Sequence, residues 1–357
     1  MTWMIYGANG YTGELAAREA VRQGLTPILA GRNAESVARL ARELGLQSRA
    51  FSLDDPQGTA AELYGVKAVL HCAGPFVHTS APMVAACLAT GAHYLDITGE
   101  IPVFEKVLSR GEEAREAGVA LIPGVGFDVV PSDCLAARLA AALPDATELV
   151  LAFYADRGST SRGTLKTMIE SLPHAGAIRK NGRIVPVPIA WDAREIEFGG
   201  AAGRRWAVTI PWGDVSTAYH STGIPNIRVY SGAPPAAIRK MKRLAPLLPL
   251  AGWAPLKRLA QRWVEWRVTG PTPEQRETGR VYLWGEARNA GRVVTATLET
   301  PEAYRLTAIS AVASIQRVLA GNVQPGAWTP SRAFGKDFVT ELPGVAAEEP
   351  RPATPPR

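Results

Sequence analysis

The sequence predicts an α/β protein with two domains: a doubly wound parallel sheet, followed by an α+β domain on a largely antiparallel sheet. Three observations support this prediction. From residue 1 to about 125, short apolar runs alternate with helical segments, as in a parallel sheet covered on both faces. Three glycines spaced G-x-x-G-x-x-G directly follow the first run. After about residue 145, alternating apolar residues and an Asn-Gly turn indicate antiparallel hairpins.

The first predicted domain spans residues 1–130 and contains six strands. Each strand is a short apolar run, and a segment with helical period separates it from the next. Gly45 and Gly118 follow two of the helical segments, and glycine commonly ends a helix. The predicted order is strand Trp3–Tyr6, helix Leu15–Gln23, strand Pro27–Ala30, helix Ala34–Leu44, strand Arg49–Leu53, helix Pro56–Tyr64, strand Lys67–Cys72, helix Ala81–Thr90, strand His93–Ile97, helix Val103–Ala117 and strand Val119–Ile122.

The second predicted domain spans residues 131–301. Asn181-Gly182 supplies the positive φ angles of a two-residue turn, which predicts a hairpin over 178–185. A helix over 302–320 can pack back on the first domain, and the composition of 342–357 predicts a disordered tail. The other predicted elements are strand Glu148–Tyr154, helix Ser161–Leu172 and strands Arg194–Phe198, Trp206–Ile210, Ile227–Tyr230, Val281–Ala287 and Arg292–Thr300.

Composition narrows the functional classes. The net charge of +6, from 39 basic and 33 acidic residues, favours anionic ligands such as a dinucleotide but is too small for a nucleic-acid-binding surface. The sequence has no apolar run of about 18 residues, and its first strand begins at residue 3, so we expect neither a membrane span nor a signal peptide. The three cysteines form no C-x-x-C pair, which fits a cytoplasmic protein.

The glycine turn at residues 7–13 is the most informative feature of the chain. It lies between an apolar strand and an amphipathic helix, the context in which a glycine pattern indicates a dinucleotide site. Glycines let the main chain approach a pyrophosphate, and the amides at the helix N-terminus point at its negative charge. The predicted contact residues are Gly7, Ala8, Asn9, Gly10, Tyr11, Thr12 and Gly13.

The end of the second strand indicates which dinucleotide is bound. An NAD site usually places Asp or Glu there for the ribose 2′-hydroxyl, whereas this sequence has Arg32-Asn33. The guanidinium of Arg32 offers a planar fork of donors that suits a 2′-phosphate. The alternative is that Arg32 is a solvated residue at a strand end. The sequence therefore favours NADP over NAD, with Arg32 and Asn33 as contacts.

Three polar, glycine-bearing loops follow the fourth, fifth and sixth strands, at 71–76, 94–100 and 123–133. Because the carboxyl ends of parallel strands share one edge of a sheet, these loops are expected to line one crevice. Gly74-Pro75, in the first of them, lets the main chain pass close to the nicotinamide while keeping the turn rigid.

With these loops, the chain resembles the saccharopine dehydrogenase-like oxidoreductases, a group that includes mycobacterial trans-acting enoyl reductases. The resemblance implies a Rossmann-type first domain, NADP as cofactor and a second domain that faces the nicotinamide. The motifs that carry it are GANGYTG at 7–13, AGR at 30–32, CAGPF at 72–76, YLDITGE at 94–100, GFDVVPSD at 126–133, RGTLKTMIESL at 162–172 and AWTPSRAFG at 327–335.

The resemblance also implies particular cofactor contacts. Ser52 stands where the family often has an adenine-contacting Asp, so Leu53 or Asp54 would take that contact. The resemblance carries no catalytic acid or base to this chain. The residues to which it carries a cofactor role are Gly7, Gly10, Gly13, Arg32, Ala73, Gly74 and Pro75.

Asp128, after the sixth strand, is the candidate catalytic residue, because it can act as, or orient, an acid opposite the hydride. The alternative is that Asp128 and Asp133 cap turns and the helix that begins near Ser132, since Asp and Ser are favoured caps. For Asp133, we favour the capping interpretation.

The remaining polar residues near the crevice have structural interpretations. Asp96 and Glu100 are expected to shape the turn at 98–99, His78 to be a solvated loop histidine and Lys166 a surface lysine. The five histidines lack metal-ligand spacing, so no metal site is predicted. Tyr-x-x-x-Lys, Gly-x-Ser-x-Gly and His-Glu-x-x-His are all absent, which excludes short-chain dehydrogenase, hydrolase and zinc-protease motifs.

Tryptophan and a broken apolar segment indicate the class of substrate. Indole rings suit a long apolar ligand, although about half of them are expected to be core. The segment 244–256 is apolar, interrupted by prolines and flanked by basic residues, which fits an interfacial membrane contact, a substrate lid or a homodimer contact. The tryptophans assigned to the second domain are 191, 206, 212, 253, 263, 266, 284 and 328.

The leading hypothesis is an NADP-dependent reductase that transfers hydride to a C=C (enoyl) or C=N bond of an apolar, lipid-like small molecule. One alternative is a non-catalytic dinucleotide-binding scaffold at lipid surfaces, motivated by 244–256 and by the lack of a secure acid/base pair. A third is a reductase of amino-acid-derived imines. It would need an arginine pair in the cleft, and Arg157 with Arg162 are the nearby candidates.

Overall fold

The computed structural model describes residues 1–157, 160–171, 176–245, 264, 266, 268 and 270–353. The chain forms two compact units. The first comprises Met1–Val130 and Tyr304–Gly335, and the second comprises 131–303 together with the residues from Lys336 onward. The chain therefore leaves the first unit after the sixth strand of that unit and returns to it at Tyr304.

The first unit contains a parallel sheet with helices between its strands. Four of its strands are buried along their whole length, as expected where helices cover both faces. The elements up to the first crossing are β1 (Trp3–Tyr6), α1 (Tyr11–Arg22), β2 (Ile28–Gly31), α2 (Ala34–Leu44), β3 (Ser48–Ala50), α3 (Pro56–Glu62), β4 (Ala68–His71), α4 (Phe76–Thr90), β5 (His93–Asp96), α5 (Ile101–Leu108), α6 (Gly111–Glu116) and β6 (Ala120–Ile122).

The second unit combines helices with a mixed, largely antiparallel sheet. Asn181 and Gly182 both have positive φ and join two antiparallel strands, as the sequence predicts. Its elements are α7 (Val130–Ala142), β7 (Glu148–Ala155), α8 (Arg162–Ser171), β8 (Ala177–Lys180), β9 (Arg183–Pro186), β10 (Ala193–Glu197), β11 (Arg204–Thr209), α9 (Asp214–Thr222), β12 (Asn226–Gly232), α10 (Pro235–Leu244), α11 (Pro273–Thr278), β13 (Arg280–Arg288) and β14 (Val293–Pro301).

The last part of the chain contributes to both units. Helix α12 (Ala303–Leu319), from Tyr304 on, belongs to the first unit, as do β15 (Gly326–Ala327) and α13 (Pro330–Phe334). Strand β15 adds a seventh parallel strand beside β6. In the second unit, β16 (Ala346–Ala347) and β17 (Arg351–Pro352) pair with β14.

These pairings correct the prediction of a disordered tail over 342–357. The prediction is wrong for the segment up to residue 353, and residues 354–357 lie outside the described residues. The physical reason is that an edge strand offers a row of unpaired main-chain groups, and β14 offers its edge to this segment. The proline-rich composition of this segment does not reveal that β14 is available as its partner.

Strand order places the crevice of the first unit. The sheet runs β15-β6-β5-β4-β1-β2-β3, so β1 has β2 on one side and β4 on the other. Alternate residues of β1 enter two different cores, Ile5 on one face and Tyr6 on the other. The predicted doubly wound fold is confirmed, and its ligand crevice is expected at the carboxyl ends of β1 and β4.

Helix ends in the first unit follow capping rules. The side chain of Asn33 accepts a hydrogen bond from the Ser36 amide at 2.8 Å, and Gly45 ends α2 with φ +67°. The predicted helix over 103–117 is two helices, α5 and α6. Across the described parts of the chain, no helix combines the length and apolar character needed to cross a membrane.

Candidate active site

The turn after β1 is closed by glycine main chain. Gly7 has φ +81°, a left-handed conformation that suits glycine. A Cβ on Gly7 would lie 2.8 Å from the Ala73 amide nitrogen, so the loops after β1 and β4 meet main chain to main chain. A Cβ on Gly13, in the first turn of α1, would lie 2.9 Å from Ala8 Cα. The turn is therefore tightly packed main chain with no room for side chains at these two positions, which fits a pyrophosphate held by main-chain amides at the N-terminus of α1.

Gly10 is the N-cap of α1. Its amide donates to the Gly7 carbonyl at 3.0 Å, which tightens the turn. Ala8 is buried, and its amide donates to the Ala30 carbonyl at 3.1 Å, which fixes the turn to the end of β2. Gly10 makes no side-chain cap of α1, so a ligand at this N-terminus would meet main-chain amides.

The polar and aromatic residues of the turn lie around this tightly packed main chain. Asn9 packs its side chain against β2, where its Oδ1 would lie 2.9 Å from a Cβ on Gly31. The ring of Tyr11 meets that of Tyr304 edge to face, with centroids 5.1 Å apart. Thr12 is half-buried in the first turn of α1. All seven residues predicted from the glycine pattern therefore belong to one continuous turn and helix start.

Arg32 and Asn33 directly follow β2, and both are exposed. The side-chain oxygen of Asn33 accepts from the Ser36 amide, so Asn33 serves as the cap of α2. Only its side-chain amide nitrogen remains for a cofactor contact. The exposed guanidinium of Arg32 is therefore the stronger of the two predicted contacts for a phosphate.

The ends of β2 and β3 bring further predicted contacts together. Burial raises the pKa of Tyr6 to about 12, an increase that nearby Arg32 opposes and Asp54 reinforces. Arg32 and Asp54 thus share the neighbourhood of the Tyr6 hydroxyl. The carboxylate of Asp54 accepts a hydrogen bond from the Ser52 hydroxyl at 2.6 Å. Leu53 packs in the same core cluster as Tyr6, so its side chain serves the fold.

The loop after β4 contains Ala73, Gly74 and Pro75, and its Gly74–Pro75 peptide bond is cis. The Thr79 hydroxyl donates to the Ala73 carbonyl at 2.6 Å, and the Nε2 of His71 lies 3.0 Å from the same hydroxyl oxygen. Because that hydroxyl uses its proton on Ala73, His71 donates through Nε2–H. Burial lowers the pKa of His71 to about 3, so its ring is neutral.

Glu100 has a role that sequence reasoning missed. Its amide donates to the Thr98 hydroxyl at 3.1 Å, which agrees with the expected role in the turn. Its carboxylate, however, accepts from the amides of Phe76 at 2.7 Å and Val77 at 2.8 Å, the first two residues of α4. These partners lie more than 20 residues earlier in the chain. The only signal in the sequence is an acidic residue after the strand that neighbours β4.

Asp96 connects the end of β5 to the loop after β6. Its Oδ2 accepts from the Tyr94 hydroxyl at 2.6 Å, and its Oδ1 accepts from the amides of Thr98 at 2.9 Å and Gly124 at 2.8 Å. Burial raises the pKa of Asp96 to about 6, although these three donors oppose the increase. Asp96 is thus a structural residue that fixes two loops of the crevice.

Asp128 lies in the loop after β6 with a buried carboxyl oxygen. Its Oδ1 has no hydrogen-bond partner among the described residues, and burial raises its pKa to about 8. Its Oδ2 fills space beside Gly99, where a Cβ would overlap it. Asp133 differs, because it lies inside α7 in the second unit and accepts from the Ser221 hydroxyl. The two aspartates therefore have different environments, and within the described part of the chain Asp128 is the one of the two with an oxygen that lacks a partner.

The other candidates from the sequence lie apart from this arrangement. His78 is exposed on α4, and Lys166 is half-buried on α8 of the second unit. Arg157 donates to the Thr278 hydroxyl at 3.5 Å, and Arg162 donates to a main-chain carbonyl. Within the described ranges, no group of three or more His, Cys, Asp and Glu side chains can hold a metal ion.

The tryptophans are distributed differently from the prediction. Trp328 belongs to the first unit, where its indole donates to the Gln324 carbonyl at 2.8 Å, because residues 304–335 return to that unit. Trp284 is buried, whereas Trp191 and Trp206 are exposed. Positions 253 and 263 lie outside the described residues, as does the segment 244–256 except for its first two residues.

Part of the chain is similar in sequence to trans-acting enoyl reductases. Over 200 residues, the chain is 30% identical to the trans-acting enoyl reductase of Mycobacterium tuberculosis, an alignment that covers 52% of this chain and 48% of that protein. Over 138 residues, it is 34% identical to the trans-acting enoyl reductase of Mycobacterium leprae, covering 36% and 33%. The chain thus spans about half, or less, of the length of the curated relatives it matches.

Comparison of folds covers nearly the whole chain. The structure is similar to that of apo saccharopine dehydrogenase (L-Glu forming) from Saccharomyces cerevisiae, with a TM-score of 0.65 over 97% of this chain and 99% of that one. Sequence identity in this pair is 12%, so the similarity is one of fold. Residues 3–122 also match the family model of the saccharopine dehydrogenase NADP binding domain. Residues 3–122 thus match a saccharopine dehydrogenase NADP binding domain, and the fold as a whole is similar to that of saccharopine dehydrogenase.

Proposed function

We propose that this protein is an NADP-dependent oxidoreductase that reduces a polarised C=C or C=N bond of an apolar, lipid-like substrate, with Asp128 as proton donor. The observation that carries the proposal is the Asp128 carboxyl, which has a buried oxygen without a partner among the described residues and a pKa raised by burial to about 8. A carboxyl in this state keeps its proton near neutral pH and can give it to a substrate.

The cofactor role of the first unit has independent support. A Cβ on Gly7 or Gly13 would overlap neighbouring main-chain atoms, so the turn keeps its main chain bare. The exposed Arg32 directly follows β2, where a 2′-phosphate is expected. When bound, NADPH supplies the hydride. The chain's part is to hold the cofactor at the loops after β1, β2 and β4 and to place a proton donor in the loop after β6.

The proton and the hydride go to different atoms of the double bond. Reduction of C=C or C=N adds one hydride and one proton, so a group of this chain, or water, must supply the proton. Asp128 releases it from its carboxyl and becomes the carboxylate, which then recovers a proton from solvent. Gly99 leaves room for the Asp128 carboxyl, and Asp96 holds the loop that carries it through the Gly124 amide.

A C=C bond is favoured over C=N because the relatives with 30–34% identity are trans-acting enoyl reductases. An amino-acid-derived imine would require a pair of arginines to bind its carboxylates. The two candidates, Arg157 and Arg162, each donate to neighbours in the second unit instead, which also disfavours this substrate class. The exposed Trp191 and Trp206 are consistent with an apolar ligand. A lipid contact or homodimer contact through 244–256 remains part of the proposal.

The proposal is tested by cofactor binding and turnover. NADPH fluorescence anisotropy should rise on adding protein, and NADPH should be oxidised in the presence of enoyl thioesters with long acyl chains, with imines as the comparison set. Absence of binding at high micromolar NADPH would refute the proposal. Binding without oxidation across both sets would favour the non-catalytic scaffold instead.

Asp128→Asn isolates the proton donor. Loss of a general acid costs about 10²–10⁴-fold in rate, so kcat should fall by that factor while NADPH affinity stays within about twofold. In the wild type, kcat/KM should decrease above pH about 8, where Asp128 loses its proton, and the variant should lack this decrease. Asp145→Asn, at an exposed aspartate paired with Arg292 in the second unit, is the matched control and should leave kcat unchanged.

A further inference from the structure

We propose that Glu100 is a positioning residue for the nicotinamide half of the cofactor, an inference that rests on the proposed function. Its carboxylate holds the first two amides of α4 and thereby fixes the loop Ala73–Pro75 that precedes them. The same carboxylate occupies the N-terminus of α4, so that, of the two neighbouring helices α1 and α4, α1 is the one that receives the pyrophosphate.

The geometry at α4 supports the first part of this inference. Each oxygen of the Glu100 carboxylate accepts one amide, Phe76 at 2.7 Å and Val77 at 2.8 Å, and the residue is only 6% exposed. Phe76 directly follows Pro75, so these bonds fix one end of the loop. Hydrogen bonds to a buried carboxylate are stronger than those between neutral groups.

Glu100 is itself held in place. Its amide donates to the Thr98 hydroxyl, and the Thr98 amide donates to the Asp96 carboxylate. This chain of bonds begins at the end of β5, which lies beside β4 in the sheet. The carboxylate therefore reaches α4 from a rigid neighbouring strand, which makes it suitable for fixing a loop.

The other end of the loop is held by different residues. The Thr79 hydroxyl donates to the Ala73 carbonyl at 2.6 Å, and the neutral His71 donates to Thr79. The loop Ala73–Pro75 is thus fixed at both ends. The Thr79 hydroxyl holds the carbonyl of its first residue, and Glu100 holds the amides of the two residues that follow its last residue. Because this three-residue loop is held at both ends, it is well placed to present its main chain to the flat nicotinamide ring.

The two helix N-termini at this edge of the sheet support the second part of the inference. Strands β1 and β4 are parallel neighbours, so α1 and α4 begin side by side. Helix α1 follows Gly10, which contributes no side chain, whereas α4 is covered by the carboxylate of Glu100. A helix N-terminus attracts anions, and an anion already in place repels another. The pyrophosphate is thereby directed to α1, which leaves the loop beside α4 to the uncharged amide end of the cofactor.

The test uses two probes that share the adenine half. 2′,5′-ADP reaches only the contacts at the loops after β1 and β2, whereas NADPH also reaches the loop Ala73–Pro75. Calorimetry on Glu100→Gln, which keeps the shape but loses the charge and one acceptor, should show NADPH affinity reduced about tenfold. The affinity for 2′,5′-ADP should stay within about twofold of the wild type.

Glu113→Gln is the matched control, since Glu113 is an exposed glutamate in α6 paired with Arg110, and both affinities should be unchanged. If Glu100→Gln does not fold, Thr79→Val removes the bond at the other end of the loop and should give the same pattern. Equal losses for both probes, or no loss for either, would overturn the inference. A wild type that binds neither probe would instead refute the proposed function itself.

Discussion

Gly99 leaves the space that the carboxyl group of Asp128 occupies. A Cβ on Gly99 would overlap Asp128 Oδ2, while the other oxygen of that carboxyl is buried without a hydrogen-bond partner among the described residues. The two residues lie in the loops after β5 and β6, 29 positions apart in the sequence. Glycine at this position therefore sets where the proposed proton donor lies.

Gly99→Ala should displace the Asp128 carboxyl and reduce kcat by about tenfold or more, since a small misplacement of a reacting group is costly. NADPH affinity should change less than about twofold, because the contacts at the loops after β1, β2 and β4 are untouched. Steady-state kinetics with calorimetry measure both. Gly291→Ala is the control, as no described atom lies within 4 Å of the added Cβ there. An unchanged kcat in Gly99→Ala would contradict the role given to this contact.

Gly7→Ala should abolish the cofactor site. The substitution adds a Cβ 2.8 Å from the Ala73 amide nitrogen at a residue with φ +81°, so the loops after β1 and β4 must separate. We expect NADPH affinity to fall about 100-fold or more by calorimetry. Gly24→Ala is the matched control, since it has φ +75° but no described atom within 4 Å of the new Cβ. It should cost roughly 1 kcal/mol of folding stability and no affinity, and equal losses in both variants would contradict the prediction.

Arg32→Ala should lower NADPH affinity about tenfold to 100-fold and leave NADH affinity unchanged. The reason is that Arg32 is proposed to hold the 2′-phosphate, the only difference between the two cofactors, through charge-assisted hydrogen bonds. Arg39→Ala, at an exposed arginine on α2, should change neither affinity. Parallel losses for NADPH and NADH would show that Arg32 supports the fold or the pyrophosphate instead.

Asp128→Asn should stabilise the first unit increasingly as pH rises. The pKa of Asp128 is about 8 in the folded protein against an ordinary value of 3.8, so below pH 3.8 the carboxyl is protonated in both states. Between these values the unfolded chain releases its proton and the folded chain keeps it, so the stability of the wild type falls as pH rises, and the loss levels off above about 8.

The measurement is the difference in Tm between Asp128→Asn and wild type at pH 5 and pH 8.5. We expect the difference to grow by at least about 3 °C in favour of the variant. Asp145→Asn should show an offset that does not depend on pH in this range, because pairing with Arg292 lowers the pKa of that carboxyl. A flat difference for Asp128→Asn would mean that Asp128 titrates normally.

Local patterns predicted a large part of the first unit. The glycine spacing at 7–13, the apolar runs and Arg32 after β2 all act through near neighbours in the chain, so a single sequence reveals them. Element ends were less accurate, since α1 begins at Tyr11 instead of Leu15. The sequence pattern does not predict β15, the last strand of the first unit. A strand of two residues carries no periodic signal, and its partner β6 lies about 200 positions earlier.

The sequence by itself determined the doubly wound sheet, the glycine turn after β1 and the preference for NADP, because hydrophobic period, glycine φ and a charged strand end are local properties. Only the tertiary structure decided what each acidic residue does. Asp96 fixes two loops, Glu100 covers a helix N-terminus, and Asp128 has an oxygen without a partner among the described residues, although all three are acids near the carboxyl ends of β5 and β6. Burial and hydrogen-bond partners set the role of a carboxyl, and those partners come together only when distant strands align in the sheet.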